Sequence, residues 1–173
     1  HLTGLEETLF LPLWARARET QRHDPIVEDP KAVELLRRID YDFHRFDHDW
    51  KSQVAVAVRT RILDDAVNRF LATHRDALVV NLGAGLDSRF QRVDDGSVRW
   101  YELDLPEVIA FRREYFKETE RYRFIDCSVM DEAWFARIEH YECPVLLIAE
   151  GLLMYFARFE VRNLVRHLIV AFP

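Results

Sequence analysis

Apolar residues recur with two different periods along this 173-residue chain, and the change from one to the other divides it near residue 75. Up to that point the spacing is helical. Over residues 2–20, Leu5, Leu9, Leu13 and Ala17 stand four apart with Phe10 and Trp14 alongside, which predicts a helix with one broad apolar face. His23-Asp24-Pro25 and Glu28-Asp29-Pro30 predict a loop, because residues before proline avoid the helical region. A short helix is expected over residues 31–39, with Val33, Leu36 and Ile39 inward. Residues 41–51 are crowded with aromatic and charged side chains and read as a mobile flap over an active site. The aspartates and histidines there match no metal-ligand spacing, so no metal is expected. Ser52 is expected to cap a long helix reaching about His74, with Val54, Val58, Ile62, Ala66 and Phe70 as its buried stripe.

Beyond residue 75 the apolar positions bunch into short runs. Residues 77–82, 98–103, 123–125 and 145–149 read as strands, the last of them fully buried. Between and after them fall a short helix or turn over 87–93, a helix over 105–119, a helix over 131–139 started by Asp131, and a helix over 159–172. Pro106 lies in the first turn of the second of these, where a missing N–H costs nothing. The last should turn Val161, Leu164, Val165, Leu168 and Phe172 to one side. Strands alternating with helices give a parallel sheet covered on both faces. The expected architecture is therefore α/β: a helical N-terminal extension over residues 1–75, then a parallel-sheet core over residues 76–173.

The first strand runs into Gly83-Ala84-Gly85. Glycines at such a turn take dihedrals that other residues avoid and let a ligand lie against bare backbone, whose N–H groups favour polar or anionic groups. The second strand ends in Asp104, 21 residues past the first glycine. A carboxylate about 20 residues on, at the tip of the next strand, is where a nucleotide fold binds ribose hydroxyls. A dinucleotide site wants a third glycine where this chain has Ser88, and Asp87 beside it would repel a pyrophosphate. S-adenosylmethionine (SAM) carries no phosphate, so the loop favours SAM over NAD. Ligands of open α/β sheets lie beyond the carboxyl ends of the strands. Besides Asp104, those ends carry Asp126 to Val129 and Glu150. Glu102, on the same strand as Asp104, should face away from its neighbour Leu103 and ranks below Asp104. Glu150 closes an apolar strand, where an unpaired carboxylate is costly; it either pairs with an arginine, holds a ligand's ammonium group or faces a methyl sulfonium.

Composition narrows the class. A formal net charge of −6 argues against non-specific nucleic-acid binding, which needs a basic face. Two cysteines, Cys127 and Cys143, form no metal-type pair and suit a reducing, cytoplasmic setting. No apolar run is long enough to span a bilayer. No signal peptide is visible, although the chain opens at His1 and a few residues are expected to precede it.

Three segments in this order, Leu82-Gly-Ala-Gly-Leu-Asp-Ser-Arg89, Trp100-Tyr-Glu-Leu-Asp-Leu-Pro106 and Ala149-Glu-Gly-Leu-Leu-Met-Tyr155, resemble the leucine carboxyl methyltransferase family. The branch they resemble is the bacterial one similar to the tetracenomycin polyketide O-methyltransferase. The resemblance covers about residues 8–172. It implies a Rossmann-like, class I SAM-dependent methyltransferase fold of seven strands, with the N-terminal helical extension as part of a lid over cofactor and acceptor. A fifth strand is expected to begin near Pro173 in a longer protein; the alternative is that another subunit, in a homo-oligomer, covers the apolar fourth strand, which would otherwise be an exposed edge. The resemblance further implies that a basic residue near the end of the first helix, Arg16 rather than Arg18, reaches the carboxylate of the cofactor's methionine part. Arg59, opening an Arg-x-Arg-x-x-Asp pattern, is implied to clamp that carboxylate as well. Ser128 and Val129 take the positions that read the adenine edge; the family's leucine carboxyl branch has aspartate where Ser128 stands, which leaves Asp126 as a substitute. Gly83, Ala84, Gly85, Asp104 and Glu150 complete the cofactor set, and Tyr155 is a candidate to line the methyl-transfer cavity.

The implied activity is transfer of a methyl group from SAM to a carboxyl or hydroxyl oxygen of a small, polyketide-like or other natural-product acceptor. Carboxyl methylation of a protein C-terminus, a non-catalytic SAM-binding homologue and an NAD-type oxidoreductase are the alternatives. A carboxylate acceptor is ionised at neutral pH and needs no general base, and the residues offer no compelling one.

Overall fold

The computed structural model describes residues 6–138 and 143–172. Residues 2–5 of the first expected helix, Glu139 at the end of another and Pro173 lie outside the described residues. The chain forms two compact units, one of residues 1–73 and 86–94, the other of residues 74–85 and 95–173. The segment after the glycine turn thus groups with the helical unit.

The helical unit holds α1 (Glu6–Thr20), α2 (Pro30–Arg38), α3 (Trp50–Thr73) and α4 (Arg89–Val93). Leu9, Phe10, Leu13, Trp14 and Ala17 of α1 are buried, as their spacing predicts. Asp29, not a residue inside the helix, caps α2 by accepting from the Ala32 N–H, a contact worth about 1 kcal/mol. Ala32, Leu35 and Ile39 form the inner face of this segment, one position away from the expected Val33 and Leu36, which are half-buried. Residues 41–46 do not stand free as a flap. Tyr41 and Phe43 pack on Phe10, with ring centroids 4.5 and 5.6 Å apart, and Phe46 lies 5.8 Å from Trp14.

Helix α3 departs most from its expected form. Asp49 rather than Ser52 caps it, accepting from the Ser52 N–H at 3.1 Å. Its buried stripe is Val56, Ala57, Thr60, Asp64, Val67 and Leu71. Val58 and Ile62, expected inside, are exposed. The helix is turned so that Asp64 meets two arginines of α4: Arg89 Nε donates to it at 2.7 Å and Arg92 Nε at 2.6 Å. A buried carboxylate without such partners would be expensive, so the ion pairs decide which apolar stripe goes inside.

The second unit contains β1 (Leu78–Leu82), β2 (Arg99–Asp104), α5 (Pro106–Arg113), β3 (Tyr122–Asp126), β4 (Val145–Ala149) and α6 (Arg158–Ala171), with short 3-10 turns at Glu132–Arg137 and Leu153–Tyr155. The four strands form a parallel sheet in the order β3-β2-β1-β4. One face is built on Leu78, Val80, Leu82, Tyr101, Leu103 and Ile125, with Trp134 and Leu164 packed against them. Asp131 starts its turn as expected, accepting from the Ala133 N–H, but the residues after it wind as a 3-10 turn. Helix α5 ends at Arg113, six residues short of the expected end.

Strand β4 matches its expected bounds and differs in burial. Only Ile148 is buried, and Ala149 is exposed, because β4 is an edge among the described strands. On α6, Leu164 is buried and Val161, Leu168 and Phe172 half-buried, whereas Val165, expected beside them, is exposed.

Candidate cofactor site

Chain order reverses direction across the sheet at β1: β2 and β3 extend to one side of it and β4 to the other. Such a switch point opens a crevice at the carboxyl ends of the strands. Gly83-Ala84-Gly85 lies there, directly after β1. Gly83 and Gly85 have φ of +67° and +49°, a region open to glycine. Gly83 is further constrained by Leu152: a Cβ on it would stand 2.8 Å from a Leu152 methyl.

The N–H groups of this turn are not displayed for an anion. Gly83 and Ala84 both donate to the Leu103 carbonyl, at 2.8 and 3.1 Å. Gly85 donates to Asp104 Oδ2 at 2.7 Å, while Asp104 Oδ1 accepts from the Leu105 N–H at 2.7 Å. With its donors spent on β2, the turn is poorly equipped to cradle a pyrophosphate, which needs free N–H groups. The Asp104 carboxylate retains unused lone pairs for hydroxyl donors. Burial raises its pKa above the ordinary value; the Gly85 and Leu105 N–H groups offset part of that rise.

Ser88 and Asp87 discriminate less directly than their sequence positions imply. Both belong to the helical unit. The Asp87 carboxylate is neutralised by Arg89 at 2.7 Å and Arg92 at 3.4 Å, so its charge is not available to repel a ligand. The Ser88 hydroxyl is buried and donates to Asp29. The N–H groups of Gly83, Ala84 and Gly85, spent on β2, rather than the charge of Asp87, are the feature of this turn least suited to a phosphate.

The other strand ends carry further polar groups. Ser128 Oγ accepts from the Met130 N–H at 3.2 Å, forming its own tight turn. Val129 is buried, and its carbonyl accepts from Trp134 Nε1 at 3.2 Å. Asp126 pairs with Arg137 at 2.7 Å and Arg113 at 3.5 Å, and hydrogen bonding from Arg137 holds its carboxyl below the usual range. Glu150 is half-buried at the end of β4, and Tyr155 is 62 % exposed.

The sequence profile described as "Leucine carboxyl methyltransferase" matches residues 10–169. The chain belongs to the leucine carboxyl methyltransferase family. It is 42% identical over 172 residues to the tetracenomycin polyketide synthesis O-methyltransferase TcmP of Streptomyces glaucescens, an alignment covering 96% of this chain and 63% of the relative. It is 35% identical over 185 residues to the S-adenosyl-L-methionine-dependent methyltransferase dpfgK of Gibberella zeae, covering 96% and 61%. The chain thus spans about three-fifths of the length of these curated relatives. The structure is similar to that of a Thermobifida fusca protein assigned as a methyltransferase, with a TM-score of 0.56 at 17% identity, covering 94% of this chain and 62% of the other. That likeness concerns the fold, which is the Rossmann-like one of SAM-dependent methyltransferases.

The residues singled out by membership of the leucine carboxyl methyltransferase family differ in how they are held. Arg16 is buried: its Nε donates to Asp29 at 2.8 Å and its Nη2 to the Leu86 carbonyl at 2.9 Å. Arg18 is exposed on α1, and Arg59 is exposed on α3. Glu102, ranked below Asp104, is fully buried in a polar cluster: Asn81 Nδ2, the Tyr122 hydroxyl and Arg112 Nη2 all donate to its carboxylate, at 2.9, 3.1 and 2.8 Å. Arg112 and Tyr122 stand in no motif of the sequence. Their signal is Glu102 itself, a charge inside an apolar strand that demands a buried cation.

Proposed function

We propose that this chain forms the cofactor-binding part of a SAM-dependent O-methyltransferase acting on a small acceptor of polyketide or other natural-product type. One observation carries the reading: a glycine turn whose N–H groups are satisfied internally, joined to a carboxylate at the tip of β2 with acceptor capacity left over. That combination suits a phosphate-free nucleoside ligand. The names of the family relatives support the same cofactor and an oxygen acceptor.

On this reading Asp104 accepts from the ribose hydroxyls. The segment of Ser128 and Val129, with Asp126 as a substitute, reads the adenine edge. Gly83, Ala84 and Gly85 offer bare backbone, and Glu150 takes the ammonium group. Arg59 is assigned the methionine carboxylate, since a guanidinium fork matches a carboxylate in two parallel hydrogen bonds; Arg16 is given to Asp29 and Leu86 instead. SAM, when bound, supplies an electrophilic methyl group for in-line displacement by an acceptor oxygen. The residues' task is alignment and exclusion of water. Tyr155 is the candidate to line the acceptor side, and a carboxylate acceptor would require no base from the protein.

Titration calorimetry tests the cofactor assignment. S-adenosylhomocysteine (SAH) and SAM are expected to bind, and NADH to give no heat of binding. Binding of NADH without SAH would overturn the reading.

A further inference from the structure

We propose that Arg112 is a positioning residue for the cofactor turn, one that holds the Gly85 carbonyl while Asp104 holds its N–H; the inference rests on the SAM reading of that turn. Gly85 is gripped through both of its peptide groups. Its N–H donates to Asp104 Oδ2 at 2.7 Å, and its carbonyl accepts from Arg112 Nη1 at 2.8 Å. Asp104 belongs to β2 and Arg112 to α5, so two successive elements hold one residue.

The grip on the carbonyl is preorganised. Arg112 is fully buried, and its second nitrogen, Nη2, donates to Glu102 Oε1 at 2.8 Å and to the Tyr122 hydroxyl at 2.5 Å. The Tyr122 hydroxyl in turn donates to the same Glu102 oxygen at 3.1 Å, and Asn81 occupies the other. The guanidinium lies over the Phe116 ring, 4.1 Å from its centroid, and 5.3 Å from that of Phe124. A planar cation packed beside two aromatic rings and bonded at its edge to a carboxylate and a phenol has little freedom. Its Nη1 therefore presents a fixed donor to the Gly85 carbonyl. Gly85 needs such restraint, because its φ of +49° is one that glycine adopts but does not strongly prefer over others. Only an arginine fork bonds Glu102, Tyr122 and the Gly85 carbonyl together; a lysine ammonium is a point donor.

The test compares Arg112→Lys with the parent protein by amide hydrogen exchange without ligand and by SAH titration. Arg112→Lys is expected to speed exchange at Gly85 and Leu86 and to weaken SAH about ten-fold or more, raising KM for SAM with little change in kcat. Ile109→Val serves as control: Ile109 is buried on the same helix, and its variant should lose some thermal stability while SAH affinity stays within about two-fold. If Arg112→Lys does not fold, Tyr122→Phe, which removes one anchor of the guanidinium, should give a smaller, several-fold loss of affinity. Unchanged exchange at Gly85, or an affinity loss no larger than that of Ile109→Val, would overturn the proposal. A parent protein that takes up no SAH overturns the cofactor reading itself, and that outcome is distinguished before any variant is compared.

Discussion

An ionised carboxylate offers about four lone-pair sites, and in Asp104 the N–H groups of Gly85 and Leu105 occupy two. The remaining two are what a pair of ribose hydroxyls requires. Ligand binding should therefore depend on the ionised form. Because burial raises this carboxyl's pKa, SAH affinity is expected to fall with decreasing pH before the ordinary aspartate value of 3.8 is reached. Stability of the unligated protein runs the other way for this group: the fold favours the protonated form, so its contribution is present at acid pH and lost as pH rises through the raised pKa. Affinity measured by calorimetry across the acid range checks the first of these. The two arginines of the methionine-carboxylate question separate by the same reasoning. Arg16→Ala leaves Asp29 buried with one guanidinium fewer and should cost about 3 kcal/mol in chemical denaturation. Arg59→Lys, at an exposed position, should leave stability within about 0.5 kcal/mol and weaken SAH. An Arg59→Lys protein that binds SAH as the parent does would remove Arg59 from the site.

Elements differ in how far their residues announce them. The strands were legible because each apolar run is closed by turn residues, and β4 falls where its run of Val-Leu-Leu-Ile-Ala begins and ends. The glycine turn and Asp104 were legible for a related reason: strand tip and spacing together leave few alternatives. The inner face of α3 was not. Its sequence contains two apolar stripes, and the choice between them is made by Arg89 and Arg92, 25 and 28 residues from Asp64. No local pattern encodes a contact at that separation. The same holds for Asp29, which reads as loop punctuation before Pro30 yet caps α2 and pairs with Arg16 and Arg92. Burial alone would raise the Asp29 carboxyl, but the two arginines, the Ser88 hydroxyl and the Ala32 N–H bring it below its ordinary value. Its contribution to stability is thus present above pH 3.8 and lost as pH falls through the depressed pKa. Acid unfolding followed by circular dichroism should show Asp29→Asn shifting the parent's transition to a less steep one in that range.

At the scale of the whole molecule, a parallel sheet with this switch point admits nucleoside cofactors with or without a phosphate, and the proposed choice between them rests on the arrangement of donors. A dinucleotide is bound by N–H groups that point at phosphate; here those groups point at Leu103 and Asp104. The central claim is that Asp104 holds a phosphate-free nucleoside cofactor, and the measurement that meets it most directly is SAH titrated into the parent and into Asp104→Ala. The variant should retain its fold by circular dichroism and bind about 10- to 100-fold more weakly, the loss of one to two hydrogen bonds to a charged group. Equal affinity in a folded Asp104→Ala protein would contradict the account.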